Sequence, residues 1–151
     1  MKKLNPQLTA VRDARLGLKL ADLTFKRALI DAAKAGEAQR SIGHAAAISQ
    51  PAVAQHLANS EHIRPLVEGF SGADPVEICQ RYHLGQLTEE QLFDELTRWE
   101  YAPEPEAAHT LDEPPYEPGT WNDVLVATNM DYISEEQYAR LLHIMEEDSP
   151  H

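Results

Sequence analysis

The segment from Gln39 to Leu57 constrains the fold of this chain more than any other stretch. Its apolar side chains recur at the spacing of two short amphipathic helices, and they are Ile42, Ala46, Ile48, Val53 and Leu57. Gly43 stands where two helices that cross at a steep angle leave no space for a side chain. Ser49 is a favourable N-cap, and Pro51 is tolerated in a first helical turn because the early N–H groups there have no intrahelical partner. The pattern predicts a helix-turn-helix, with helices at about 38–46 and 50–59.

This motif predicts a DNA-binding surface. In a DNA-binding helix-turn-helix the second helix lies in the major groove, and its N-terminal residues face the base edges. Glutamine side chains can form bidentate hydrogen bonds there, with adenine as the favoured partner, and hydroxyl or amide groups can donate to phosphates. We expect the site to comprise Gln39, Arg40, Ser49, Gln50, Pro51, Ala54, Gln55, His56 and Ala58. The alternative left open is that the segment is only a turn within a helical bundle.

Charge is divided unevenly along the chain. Residues 1–64 contain ten Lys and Arg against five Asp and Glu, a net charge of +5. The remaining residues contain three arginines against 20 acids, a net charge of −17 within a total of −12. A basic half can approach phosphates, whereas an acidic half is repelled by them. The division predicts a basic helix-turn-helix domain at 1–64, a connector at 65–74 and an acidic module at 75–151.

A long helix is predicted before the motif. From about residue 6 to residue 35, apolar side chains recur at spacings of three and four, at Leu8, Val11, Leu16, Leu20, Leu23, Leu29 and Ile30. Gly36 is well placed to end this helix. Because the helix is longer than a minimal helix-turn-helix domain needs, two interpretations stay open. It either only covers the back of the motif, or its N-terminal part also forms a dimer contact.

The acidic half contains an internal repeat. The segment EICQRYHLGQLTEEQLFDELTRW begins at Glu77, and DVLVATNMDYISEEQYARLLHIM begins 46 residues later, at Asp123. The tetrads Thr88–Gln91 and Ser134–Gln137 match in register. Each is a capping-box pattern, a hydroxyl N-cap with Gln three residues on, at the start of an amphipathic helix. Each unit is therefore predicted to be a helical hairpin, and two hairpins can pack together where one alone buries too little surface.

A linker rich in proline and acids separates the two predicted hairpins, which span about 75–101 and 120–148. The stretch APEPEAAHTLDEPPYEPG, residues 102–119, holds five prolines and five acids, so no helix or strand is expected in it. No alternating strand pattern occurs elsewhere. The predicted fold class is all-α, with an N-terminal helix-turn-helix domain followed by a C-terminal module of two repeated helical hairpins.

The residues ISQPAVAQHL resemble the recognition-helix region of many bacterial repressors, winged and unwinged. The long helix that leads into AGEAQRSIGHAAAISQPAVAQHL resembles short actinobacterial helix-turn-helix regulators, in which the turn usually has a glycine where Ala47 stands here. The downstream DELTRWEYAP, the GTW and the hairpins look like a C-terminal region that accompanies this motif in actinobacterial proteins. The resemblance implies a bacterial helix-turn-helix transcriptional regulator.

Catalysis finds little support in the sequence. The seven histidines include no HExxH or HxxxH pair, and no glycine-rich phosphate loop is present. The single cysteine, Cys79, cannot form an intrachain disulfide, so a reducing, cytoplasmic compartment is expected. No signal-peptide pattern is seen, and no apolar run approaches the roughly 20 residues that span a bilayer. We expect a protein that is not an enzyme, has no metal and no cofactor, and does not bind a membrane.

Two functional hypotheses follow. The first is a sequence-specific, repressor-like regulator that binds double-stranded DNA and whose acidic module binds a protein partner or mediates assembly, such as a homodimer. The second is an antitoxin of a toxin–antitoxin pair, in which the acidic module neutralises a basic partner and DNA binding serves autoregulation. The acidic linker motivates the second hypothesis, because such a segment can wrap a partner's surface.

Overall fold

The computed structural model describes residues 4–103 and 118–148, and every regular element in those ranges is a helix. The all-α prediction is confirmed for this part of the chain. The helices fall into two compact units, α1–α3 within residues 3–65 and α4–α7 in the residues that follow. Their bounds are α1 Pro6–Lys34, α2 Gln39–Ala46, α3 Gln50–Ala58, α4 Pro75–His83, α5 Glu89–Arg98, α6 Asn122–Asn129 and α7 Glu135–Asp148.

Local signals set both ends of α1. Asn5 is the N-cap, and its side chain accepts a hydrogen bond of 2.9 Å from the backbone N–H of Leu8. Pro6 follows in the first turn, where its missing N–H costs nothing. At the other end Gly36 has φ +90°, a left-handed conformation that stops the helix one residue after its C-cap.

The turn between α2 and α3 depends on a close approach at Gly43. This glycine is buried, and a Cβ atom added to it would lie 2.8 Å from the carbonyl oxygen of Ile48 and 3.4 Å from a methyl of Val53. The chain then reverses through Ala47, which has φ 59° and ψ 40° in the left-handed region. Ser49 caps α3 by accepting a 3.2 Å hydrogen bond from the N–H of Ala52. The absence of space at Gly43 and the Ser49 cap are therefore both as the sequence predicts.

The core of the first unit joins all three of its helices. Leu29 from α1, Ile42 from α2 and Val53 from α3 are buried together, and partly buried apolar side chains pack around them, namely Phe25, Ala32, Ile48 and Leu57. Arg27 is also buried, and its Nε donates to the carbonyl oxygen of Arg64 over 3.1 Å. This hydrogen bond ties the segment after α3 to the middle of α1.

In the second unit, α4 and α7 each pack against both α5 and α6. Asp74 caps α4 by accepting a 2.8 Å hydrogen bond from the N–H of Glu77. The capping box of Thr88 and Gln91 is present with both of its hydrogen bonds. Ser134 and Gln137 form the same reciprocal pair at the start of α7. The buried apolar side chains between the helices include Ile78, Cys79, Leu92, Leu96, Val124, Ala127, Ile133 and Leu141.

The stretch before α4, predicted as a connector, is bound to the second unit by buried carboxylates. Glu95 accepts hydrogen bonds from the backbone N–H and the hydroxyl of Ser71, the latter over 2.8 Å. Glu77 accepts from the N–H of Ala73 over 3.1 Å and forms a buried ion pair of 2.9 Å with Arg81. A buried ion pair is stabilising only when such additional hydrogen bonds satisfy it.

The linker between the predicted hairpins lies mostly outside the described residues, which omit 104–117. Its two ends are close together, because the N–H of Ala102 donates to the carbonyl oxygen of Gly119 over 3.0 Å. Nearby, the side chain of Asp123 is fully buried and accepts a 2.8 Å hydrogen bond from the N–H of Gly119. The second unit thus closes around the entry and exit of the linker.

We predict that Gly43→Ala lowers the free energy of unfolding of the first unit by about 1–3 kcal/mol, because the new methyl group meets a backbone carbonyl. Ala47→Gly is the matched control in the same turn. It is expected to be neutral or slightly stabilising, because glycine adopts a positive φ without steric cost. Urea unfolding followed by circular dichroism measures both. A Gly43→Ala variant as stable as the parent chain would contradict the close approach of α2 and α3.

Candidate nucleic-acid interface

Helix α3 presents a continuous exposed face. Positions separated by one, four, five and eight residues share a side of an α-helix, and here they are Gln50, Pro51, Ala54, Gln55 and Ala58, all exposed. Val53 and Leu57 point inward, within the core of the unit or packed against it. Gln50, three residues before Val53, is exposed because it is the first residue of the helix. The exposed face is small and polar, with two amides projecting beyond alanine methyls.

One of the two glutamines has a partner on its own helix. The Nε2 of Gln55 donates to the Oδ1 of Asn59 over 3.4 Å, one turn further along. This long hydrogen bond orients the amide while leaving its Oε1 available. Asn59 is itself exposed and is the C-cap of α3. Asn59 is not among the nine residues predicted above, although its position four residues after Gln55 was a usable signal.

His56 lies apart from the other residues of the predicted site. Its ring is half-buried and packs edge-on against Phe25 of α1, with the ring centroids 5.4 Å apart. Because α3 advances 100° per residue, this side chain points away from the face that carries Pro51 and Gln55. The remaining predicted residues are exposed. Gln39 and Arg40 lie in the first turn of α2, and Ser49 lies directly before α3.

The first turns of the helices in the first unit contain no acid, and Glu37 directly precedes the N-cap of α2. None of α1, α2 and α3 has an acidic residue in its first turn, whereas each of α4, α5, α6 and α7 has at least one. Helix α2 also has no side-chain cap, since its N-cap is Ala38. A helix N-terminus is a partial positive charge with unpaired N–H groups. Such an end is an effective binding site for phosphate.

Only part of the positive charge of the first unit is available at its surface. Arg12 pairs with Asp13 over 3.3 Å, Lys26 pairs with Asp22 over 2.8 Å, and Arg27 is buried. The exposed cations of this unit include Arg15, Lys19, Lys34 and Arg40. Arg40 is the one of these four that lies in the first turn of α2. The number of cations counted in the sequence is therefore larger than the number that is exposed and unpaired for contact with a phosphate.

An open apolar cavity of about 400 Å³ lies between α1 and α2. Its lining includes Phe25, Ala28, Ala32, Ile42 and Ala45, with Glu37 and Ser41 as its polar members. None of the nine predicted site residues lines it. The cavity is therefore separate from the exposed face of α3.

In the second unit, Cys79, Glu89 and Tyr101 have pKa values shifted by their surroundings. Burial, and after it the nearby carboxylates of Asp123 and Asp74, together raise the pKa of the Cys79 thiol to about 12. A thiol in this state is a poor nucleophile at neutral pH. Hydrogen bonds from Arg140 and Gln137 lower the pKa of the exposed Glu89 carboxyl. Burial raises the pKa of Tyr101, whose hydroxyl donates to the carbonyl oxygen of Leu96 over 2.6 Å.

Neither a metal-binding cluster nor a membrane-spanning helix occurs within residues 4–103 and 118–148. These residues contain no group of three or more His, Cys, Asp and Glu side chains placed to hold a metal ion. No helix among them combines the length and the apolar character that crossing a membrane requires.

Comparisons of the chain with protein-family models, with curated proteins and with solved structures find no match.

Proposed function

We propose that the chain is a sequence-specific DNA-binding transcriptional regulator of the repressor type. In this proposal α2 and α3 form a helix-turn-helix, α3 enters the major groove, and Gln50 and Gln55 contact base edges. The N-termini of α2 and α3, with Gln39, Arg40 and Ser49, contact the phosphates on either side. The second unit and its repeated hairpins act as a protein-interaction module.

The observation that carries the proposal is the exposed face of α3 with an acid-free first turn. This face is not needed for the core, since Val53 and Leu57 make the packing contacts. It offers two amides on alanine-sized neighbours, so a DNA base edge can approach without a steric obstacle. Carboxylates stand instead in the first turns of α4–α7, where a phosphate would be repelled.

Replacing both Gln50 and Gln55 with alanine is expected to weaken binding to a preferred duplex by roughly tenfold to a hundredfold for each lost bidentate contact. The preferred duplex is first enriched from a randomised library with the full-length protein, and dissociation constants are measured by fluorescence anisotropy at fixed salt. Gln7→Ala, an exposed glutamine of α1, is the control and should leave the affinity unchanged. If no sequence is enriched, or if the double variant binds as the parent does, the proposed recognition helix is wrong.

A second candidate function is favoured by the exposed acids of the second unit. Among its described residues these include Glu90, Glu135, Glu136, Glu146 and Asp148, beside only two exposed arginines, Arg98 and Arg140. Such a surface can neutralise a basic protein, as the antitoxin of a toxin–antitoxin pair does. DNA binding by the first unit would then serve autoregulation.

Co-expression with the products of the adjacent genes tests this second candidate. We expect a toxic basic neighbour to co-purify and growth to recover, with recovery weakened by the charge reversals Glu90→Lys and Glu136→Lys. The reversal Arg40→Glu, in the other unit, is the control and should not affect rescue. A chain that purifies alone and rescues no neighbour contradicts the antitoxin function.

A further inference from the structure

Small side chains on two neighbouring helices leave open the cavity of about 400 Å³ in the first unit. Ala28 and Ala32 of α1 line it from one side, and Ala45 and Ala46 of α2 line it from the other. Each of these side chains is a single methyl group, so the space between the two helices is not filled to the density of a protein interior. Ile42 also lines the cavity and belongs to the buried core, so the cavity extends from the core of the unit to its surface.

The polar members of the lining are a carboxylate and a hydroxyl. Glu37 lies in the loop between α1 and α2, Ser41 lies in the first turn of α2, and both are exposed. Glu37 is the one charged side chain in the described lining, and its carboxylate forms no ion pair within the part of the chain that the structure describes. The nearest cations along the chain, Lys34 and Arg40, are exposed and lie outside the lining. The cavity therefore combines a mostly apolar surface with one unpaired negative charge.

This combination matches the sites of small-molecule ligands in size and in chemistry. Such sites span about 300–1,000 Å³ and are mostly apolar, with a few polar groups that orient the ligand. The apolar lining can cover an aromatic or branched alkyl group, and the Glu37 carboxylate can pair with a protonated amine through a charge-assisted hydrogen bond. The hydroxyl of Ser41 offers a further acceptor for an ammonium N–H. An anionic ligand would instead be repelled by Glu37.

We propose that this cavity binds a small amphipathic amine, with the apolar body of the ligand between α1 and α2 and its ammonium group at Glu37. The existence of the site does not depend on DNA. Its consequence rests on the proposed function, in which the N-terminus of α2 contacts a phosphate. Glu37 directly precedes the N-cap Ala38, so its negative charge opposes that contact, and a bound amine neutralises it. The amine is therefore expected to strengthen DNA binding.

A ¹⁵N chemical-shift titration of the full-length chain without DNA tests the site with three probes that share one aromatic body. Phenethylamine carries the ammonium group, phenethyl alcohol is its neutral counterpart, and hydrocinnamate is the anionic one. The amine should give saturable shifts centred on residues 25–46 and bind roughly tenfold or more tightly than the other two. Ala45→Leu, which fills the cavity from α2, should remove these shifts. Equal affinities for the three probes, or no saturable shifts with the amine, overturn the proposal.

The isosteric change Glu37→Gln tests the carboxylate without refilling the cavity. It should weaken the binding of phenethylamine roughly tenfold or more and leave that of phenethyl alcohol unchanged, because only the charged end of the ligand loses its partner. Glu61→Gln is the matched control, at an exposed acid of the same unit that does not line the cavity. Amine binding that is unchanged in Glu37→Gln, or weakened equally in both variants, overturns the proposal.

The effect on DNA separates this proposal from the proposed function. Saturating phenethylamine should raise the affinity of the parent chain for its enriched duplex by about twofold to fivefold. Glu37→Gln should bind that duplex more tightly without the amine and should not respond to it. A chain that binds the amine but enriches no DNA sequence overturns the proposed function alone. A chain that binds its enriched duplex but no amine overturns the ligand site alone.

Discussion

The close approach of α2 and α3 at Gly43 is the contact on which the first unit depends. The absence of a side chain there brings the carbonyl of Ile48 and the methyl of Val53 within van der Waals distance of α2. That contact sets the crossing of the two helices, and Val53 then joins Leu29 and Ile42 in the core. Once Val53 is turned inward, helical periodicity leaves Pro51, Gln55 and Ala58 facing outward. The exposure of the Gln55 amide is a consequence of packing on the other side of the same helix, and Gln50 is exposed because α3 begins there.

The two units differ in the charge at their helix N-termini. This difference assigns part of the charge asymmetry of the sequence to particular positions in the fold. The second unit places carboxylates in the first turn of each of its four helices and buries Glu77, Glu95 and Asp123 as hydrogen-bond acceptors. Some acids of this unit therefore have a structural role, because they cap helices or anchor the segment before α4. Others are exposed at its surface. The first unit has no acid in any first turn, so its helix dipoles are not compensated from within. The presence or absence of acids in the first helical turns therefore describes the difference between the units more specifically than their net charges do.

Short-range signals in the sequence made much of the fold predictable. Contacts between residues far apart in the sequence could not be predicted from them. The cap at Ser49, the missing side chain at Gly43 and the capping boxes of α5 and α7 are short-range patterns with one physical solution each. No short-range pattern reveals that His56 packs on Phe25, since this depends on how α3 lies against a helix 30 residues earlier. The burial of Arg27 through Arg64, and the binding of Ser71 by Glu95, are long-range in the same sense. Charge counted along the sequence cannot distinguish a buried arginine from one that meets a phosphate.

Backbone amide chemical shifts during a DNA titration test whether α2 and α3 form a DNA-binding surface. The full-length chain, labelled with ¹⁵N, is titrated with an enriched duplex and with a scrambled duplex of the same composition. We expect saturable shifts in the first turns of α2 and α3 and at Gln50, Ala54 and Gln55, with α4–α7 unaffected. The scrambled duplex should give smaller shifts that vanish at moderate salt, as expected for contacts to phosphate alone. Shifts confined to the second unit, or identical shifts with both duplexes, would contradict the proposed DNA-binding surface.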